Sequence, residues 1–173
     1  MELLDIYNNT GEKLGYTKTR EEAHKEGYWH KIACVFVVND EGKVIMQKRS
    51  ALKLSNPNGW TCSASGHLDA GEDEYVGALR ELKEEIGVKA DKEELKFIGT
   101  AYENYNSNGM KIAHISNVYI LYKNININDL VLQEEEVSDA KYYSISEIEE
   151  SDFAKKHTGI FNILKKEIEK NNK

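Results

Sequence analysis

The stretch from Gly66 to Val88, G-H-L-D-A-G-E-D-E-Y-V-G-A-L-R-E-L-K-E-E-I-G-V, constrains this chain more than any other. Its second half predicts a helix from Asp73 to Ile86. Tyr75, Val76, Leu79, Leu82 and Ile86 recur at helical spacing and share one face. Gly87 supplies a stop just beyond the last turn. At about 100° per residue, Glu81, Glu84 and Glu85 fall on the other side within an arc of about 100°, and Glu74 and Gly77 lie on that side too. Like charges at i,i+3 and i,i+4 cost a helix roughly 0.2–0.5 kcal/mol per pair. A helix selected for stability alone would intersperse lysines there, and Lys83, the only nearby lysine, points elsewhere. Something positive belongs on this face. Carboxylate oxygens are hard ligands, and no Cys or His is paired at zinc spacing, so magnesium or manganese is favoured over zinc.

The whole segment follows one pattern: Gly66, five residues, Glu72, seven residues, Arg80-Glu81, an apolar residue, one residue, Glu84-Glu85, one residue, Gly87, an apolar residue. It resembles the Nudix box without a gap or substitution. At roughly one in fifteen per residue type, a chance match in one chain is on the order of one in a million. The resemblance implies a Mg²⁺-dependent (or Mn²⁺-dependent) hydrolase of diphosphate linkages in small molecules such as nucleoside diphosphate derivatives. It implies Glu81, Glu84 and Glu85 as metal ligands and catalytic acids, with the carbonyl of Gly66 as a further ligand. Arg80 is implied to pair with Glu72 and so tie the Gly66–Gly71 loop onto the helix.

The chain has 173 residues, enough for one domain (1–173) with a real core. Its formal net charge is −7 and no basic stripe is present, which disfavours a nucleic acid polymer as partner. Two cysteines, Cys34 and Cys62, make no disulfide framework, and Cys34 reads as a buried strand residue. Met1–Tyr7 is acidic and mixed rather than a signal peptide, and the apolar runs, at most about six residues, fall far short of a membrane span. These features predict a soluble cytoplasmic protein with no membrane partner; a homodimer is left open.

Glu2–Tyr7 and Lys13–Thr17 flank a turn-forming Asn8–Glu12 and predict an N-terminal hairpin within about residues 1–28. Thr19 with Glu22 forms a capping box for a short helix through His24. Ala33–Val38 and Val44–Arg49 predict strands about a turn. Ser50–Gly59 is a loop that holds the only proline, Pro57. Leu95–Glu103 and Ala113–Tyr122 predict a hairpin whose loop is Asn104–Gly109. Lys141–Ile145 predicts a last strand, Phe153–Glu169 (within about 153–170) an amphipathic helix, and Asn171–Lys173 a fraying tail. Strands and helices interleaved with hairpins argue for an α/β chain with a mixed sheet and helices on both faces. The family resemblance implies the Nudix α/β/α sandwich, here with an added N-terminal β-hairpin.

Beyond the box, Asp5-Ile6-Tyr7, His24, Trp29-His30, Gln47–Ser50 and Trp60–His67 resemble the branch of the superfamily that includes isopentenyl-diphosphate isomerases. An isomerase is therefore the rival reading. Three departures oppose it. Ser65 stands where the isomerases place a catalytic Cys, with Cys62 three residues too early. Ile115 and Asn117 align with the isomerase Glu pair, and every box acid is kept. A non-catalytic nucleotide- or metal-binding domain is a third reading, and such domains typically lose box acids. In the isomerases a histidine at the position of His67 helps bind metal, so His67 is a candidate for metal or phosphate contact. Lys48 and Arg49 end a strand beside the site and are candidates to hold diphosphate oxygens. Glu136, just before Val137, is the candidate general base. Trp29 and Trp60 read as packing residues.

Overall fold

The strand from His30 to Val38 organises the sheet, and its composition explains why. Ala33, Val35 and Val37 alternate with Cys34, Phe36 and Val38, and all six are buried. Both faces are apolar, so both need a covering layer. The structure, a computed structural model, describes residues 2–172; Met1 and Lys173, the ends of the expected hairpin span and fraying tail, lie outside the described residues.

Before this strand, β3, come β1 (Leu3–Tyr7), β2 (Lys13–Thr19) and α1 (Arg20–Glu26). Along one edge β3 runs parallel to β8 (Met110–Tyr122) from His30 to Val38. Along its other edge it meets two strands in succession. β6 (Ala64–His67) pairs antiparallel with Ile32–Val35, and β4 (Val44–Arg49) pairs only with Val37 and Val38. The two partners splay apart at this point. Ser63 bridges the split: its hydroxyl accepts from the Val37 amide at 2.8 Å and donates to the Ile45 carbonyl. β5 (Trp60–Thr61) and β9 (Val137–Tyr143) pair with β4, and β7 (Leu95–Ser107) pairs with β8, completing a mixed seven-stranded sheet.

One face carries α2 (Glu74–Ile86), whose Ala78, Leu82 and Ile86 pack on Ala33, Val35, Ile45 and Tyr119. The opposite face carries α4 (Asp152–Lys156) and α5 (Thr158–Asn171), whose Phe153, Ile160, Phe161 and Leu164 pack on Cys34, Phe36 and Ile120. This is the expected sandwich. The expected antiparallel hairpin is present as well, as a separate two-stranded sheet. It is pinned to the box loop by Ala70 donating to the Leu3 carbonyl and Gly71 to the Asp5 carboxylate, both at 2.8 Å. No helix among the described residues is long and apolar enough to cross a membrane.

Several boundaries shift by two or three residues, and three differences have a clear physical cause. The β7–β8 hairpin turns on Asn108-Gly109 alone, at φ 49° and 77°, the two-residue geometry that Asn-Gly adopts readily. Asn104–Ser107 are therefore ladder residues, despite their turn chemistry. The last strand starts at Val137, and Ile145 instead opens α3 (Ile145–Glu149), because Ser144 and Glu147 form a capping box. The C-terminal helix breaks at His157, which leaves helical geometry (φ −115°, ψ 55°) while its Nδ1 bonds the Glu103 carboxylate at 2.6 Å.

The helix that carries the box acids is held at both ends by its own sequence. Asp73 accepts from the amides of Tyr75 and Val76 at 3.0 and 3.1 Å, and Gly87 closes it at φ 73°. Asp73→Ala should cost about 1 kcal/mol and lower Tm by about 2–4 °C, read by calorimetry. An unchanged Tm would mean that α2 is held by packing alone.

Candidate diphosphate and metal site

The site lies where β4 and β6 part and α2 closes the gap. Gln47, on the α2 side of β4, and the backbone of Ser65, in β6, both donate to Glu85 Oε1, at 3.1 and 2.7 Å. Glu85 is thereby held against the sheet in a buried position. One turn earlier, Glu81 is buried against Gly66. A Cβ on Gly66 would lie 2.2 Å from the Glu81 carboxylate, so only glycine admits this approach. Gly71, by contrast, is needed for its backbone, at φ 77°. Glu84 lies at the solvent edge of the same face.

Arg80 is the cation among these acids. Its Nε and Nη2 grip Glu72 at 2.8 and 2.9 Å, as the box pattern implies. Its Nη1 is shared between Glu81 at 2.9 Å and Glu84 at 3.3 Å, and Nη2 also donates to the His67 carbonyl at 3.2 Å. One guanidinium thus serves Glu72, Glu81 and Glu84, and Glu85 lies beyond its reach. The electrostatics record the deficit. Burial raises the Glu81 carboxyl to about 7, with Arg80 only partly opposing it. Burial raises Glu85 well above the ordinary carboxylate range, and the charges of Glu81 and Glu136 add to this. A pair of buried carboxyls that resist ionisation is the arrangement a divalent cation relieves.

Other expected residues come together unevenly. Arg49 is half-buried, and its Nε donates to the Ser55 carbonyl at 2.9 Å. Burial lowers its proton affinity, and Glu85 and Glu136 oppose that change, so the three belong to one electrostatic neighbourhood. Glu136, directly before β9, is ion-paired with Lys53, a partner the sequence did not suggest. Lys48 alternates with Gln47 along β4 and so lies on the face away from α2. The His67 carbonyl meets Arg80, while its ring packs among those of His24, His30 and His114. Trp29 packs on Tyr102 and Trp60 on Tyr143.

The rival's residues are also placed. The Ser65 amide serves Glu85, and Cys62 is buried with its Sγ 3.3 Å from the Ala64 carbonyl. β8 carries no acid at the positions in question: Ile115 and Asn117 pair with Lys31 and Ala33, and His114 and Ser116 lie between and beside them. Gln47 and Lys53 are site residues that sequence reasoning missed. The alternation of β4 could have suggested Gln47, whereas Lys53 comes from a loop without periodicity.

Comparison with known proteins agrees with this geometry. A family model of the NUDIX domain matches residues 28–163. An uncharacterized Nudix hydrolase of Clostridium acetobutylicum is 36% identical over 150 residues, covering 85% of this chain and 72% of that protein. An isopentenyl-diphosphate Delta-isomerase of Aliivibrio fischeri is 30% identical over 154 residues, covering 86% and 83%. Among solved structures, DR0079 from Deinococcus radiodurans superposes with a TM-score of 0.67 at 20% identity, covering 85% of this chain and 86% of that one.

The raised Glu81 carboxyl has a measurable consequence. An unfolded Glu titrates near about 4.3, so between there and about pH 7 the metal-free folded protein holds a proton that the unfolded chain has released. Its stability falls as pH rises through that window. Glu81→Gln keeps the neutral form at every pH. Between pH 5 and pH 8 the variant should gain about 2–3 kcal/mol relative to metal-free wild type, seen in thermal melts with EDTA. Parallel pH profiles for the two proteins would show that Glu81 ionises normally.

Proposed function

The chain belongs to the Nudix hydrolase family, whose members act on pyrophosphate bonds, and on that premise we propose that it is a Mg²⁺-dependent pyrophosphohydrolase of a nucleoside diphosphate derivative or a related small diphosphate. The observation that carries the reading is the burial of Glu81 and Glu85 beside Glu84 on a helix face where one arginine is shared among the acids.

In this reading Glu81, Glu84, Glu85 and the Gly66 carbonyl hold the metal. When bound, Mg²⁺ (or Mn²⁺) neutralises diphosphate oxygens and makes a bound water more acidic. The protein supplies the rest. Gln47 and the Ser65 amide fix the Glu85 carboxylate, so it need not reorganise during the reaction. Glu72 orients Arg80, which in turn orients Glu81 and ties down the loop through the His67 carbonyl. Arg49, with a guanidinium shaped for paired oxygens, binds the diphosphate; Lys48 is a second candidate that must reach it from the other face of β4. Glu136 takes the proton from the attacking water, with Lys53 holding it in place.

Identity to an isomerase favours one other reading, allylic isomerisation of isopentenyl diphosphate. Ser65 argues against it, because a serine hydroxyl is too weak an acid–base partner at neutral pH without an activating neighbour. The Ser65 amide is already committed to Glu85.

The purified protein should cleave at least one compound of a panel of nucleoside diphosphates, nucleotide sugars, dinucleotides and isoprenyl diphosphates in Mg²⁺, and EDTA should abolish cleavage. Phosphate release measured across that panel tests this, and silence throughout would sink the hydrolase reading. Glu85→Gln should lower kcat at least about 10²-fold while the protein still folds; a fully active variant would move the metal elsewhere. Wild type should not interconvert isopentenyl and dimethylallyl diphosphate in a deuterium-exchange NMR assay. Exchange there would restore the isomerase reading.

A further inference from the structure

Along β7 the helical cover opposite α2 ends where α5 begins. Ala101, Glu103, Tyr105 and Ser107 alternate onto that face, and Ala101 packs into its core. A Cβ on Gly159, in the first turn of α5, would lie 3.4 Å from the Ala101 side chain, so the helix rests there. Nearer the hairpin tip, other groups enclose the strand. His157 meets Glu103 Oε2 at 2.6 Å, with its ring 6.2 Å from that of Tyr105. Ser55, on the loop after β4, places its hydroxyl 3.4 Å from that of Ser107, and Arg49 donates to the Ser55 carbonyl at 2.9 Å. These contacts frame a recess between β7, the helix break and the end of β4.

The recess adjoins the diphosphate site. Burial raises the Tyr105 hydroxyl, Glu103 adds to this and Arg49 opposes it, so the three share one neighbourhood. Contact with Cys62 and burial push the Cys34 thiol up, and the charges of Glu103 and Glu85 both add, so both acids lie within electrostatic reach of that one buried residue.

Stability alone does not explain the Glu103–His157 pair. His157 is the residue that flanks the start of α5, where Ser, Thr, Asp or Asn would cap the helix, yet its side chain makes no cap bond. The chain forgoes that cap and sets the imidazole on Glu103. The two side chains are only 12% and 16% exposed. Oε2 is committed to His157, whereas Oε1 makes no hydrogen bond among the described residues and is not buried. A carboxyl locked through one oxygen, with the other open, is a prepared acceptor.

We propose that Glu103, held by His157, is a specificity-determining residue of the diphosphate site: its open oxygen accepts from a vicinal diol, such as that of a ribose, on the group that the diphosphate carries, and Tyr105 walls that sugar. The proposal rests on the pyrophosphohydrolase reading and narrows its substrate to a diphosphate bearing a hydroxylated group. A carboxylate is the acceptor that suits ribose hydroxyls. An isoprenyl tail in the same recess would strip water from Glu103 and return no donor.

The test is calorimetric titration of the full chain in Mg²⁺ with methylene-bridged nucleoside diphosphates, which bind without being cleaved. Each is compared with its 2′,3′-dideoxy form and with methylene-bridged isopentenyl diphosphate. At least one ribonucleoside compound should bind about 10–100-fold more tightly than its dideoxy form, the range spanned by a hydrogen bond to a carboxylate, and more tightly than the isopentenyl compound. Glu103→Gln keeps the volume and should cut that ratio to about threefold or less. His157→Ser offers α5 the missing cap, so the protein should still fold, while Glu103 loses its support and the ratio should fall as well. Damage to the fold or to diphosphate binding would weaken both forms alike and leave the ratio unchanged. Wild type that binds ribose and dideoxy forms equally, binds no nucleoside compound or prefers the isopentenyl compound overturns the proposal, as does a ratio unchanged in either variant. Cleavage of a diphosphate without diol preference would leave the hydrolase reading standing, and diol preference without any cleavage would leave this one, so the two fail separately.

Discussion

Two carboxylates pressed against a strand are the constraint on which this structure turns. Glu81 and Glu85 point from α2 into the sheet, where burial makes their ionisation costly. Neither can retreat to solvent, because Leu82 and Ile86 on the same helix are wholly buried. The remaining architecture accommodates this pair. Gly66 has no side chain, so β6 can approach Glu81; Gln47 and the Ser65 amide converge on Glu85; and Arg80 is oriented by Glu72 rather than by the acids it partly neutralises. Such an assembly makes ionisation of both acids costly for the protein alone, which is why we propose it as a cation site rather than an acidic surface.

The splaying of β4 from β6 is the fold-level counterpart. A continuous ladder on that edge of β3 would leave no opening for α2's acids. The chain instead ends one pairing at Val37 and begins another at Val35, with Ser63 satisfying the backbone groups left between. The hydroxyl that closes the gap is buried, and its two partners come from β3 and β4. Fold and site are therefore coupled at one residue that carries no chemistry of its own.

Much of this was legible in the sequence because it is local. The helix itself, the stop at Gly87 and the acidic arc lie within a few helical turns, where periodicity is a reliable guide, and the Glu72–Arg80 pair was implied by the family pattern, whereas the cap at Asp73 went unread. Less legible was whatever depends on strand register. Lys48 and Arg49 looked equivalent by position, yet alternation along β4 separates them, and a ladder irregularity falls between them. The last helix read as continuous because Phe153, Ile160, Phe161 and Leu164 keep a helical period; the break at His157 comes from a tertiary contact to Glu103. The histidine cluster was invisible for the same reason. Its members lie on four separate elements at no metal-binding spacing, and only the parallel pairing of β3 with β8 aligns His30 with His114.

β6 couples the two faces of the sheet mechanically. Its alternation sends Ala64 and Gly66 toward α2, and Ser65 and His67 toward the opposite face. The strand holds the Ser65 amide that fixes Glu85, the glycine that faces Glu81 and the His67 carbonyl that receives Arg80. It contributes the His67 ring to the other face. β6 is only four residues long and is held by one ladder, to β3. The packing of the His67 ring on those of His30 and His114 restrains the strand through a side chain at its far end. Positional error in β6 passes directly to Glu85 through a single 2.7 Å hydrogen bond, and catalytic geometry is sensitive to displacements of about an ångström. Packing on one face thus sets the precision of the Glu85 carboxylate on the other, without contacting substrate and without any change in the box itself.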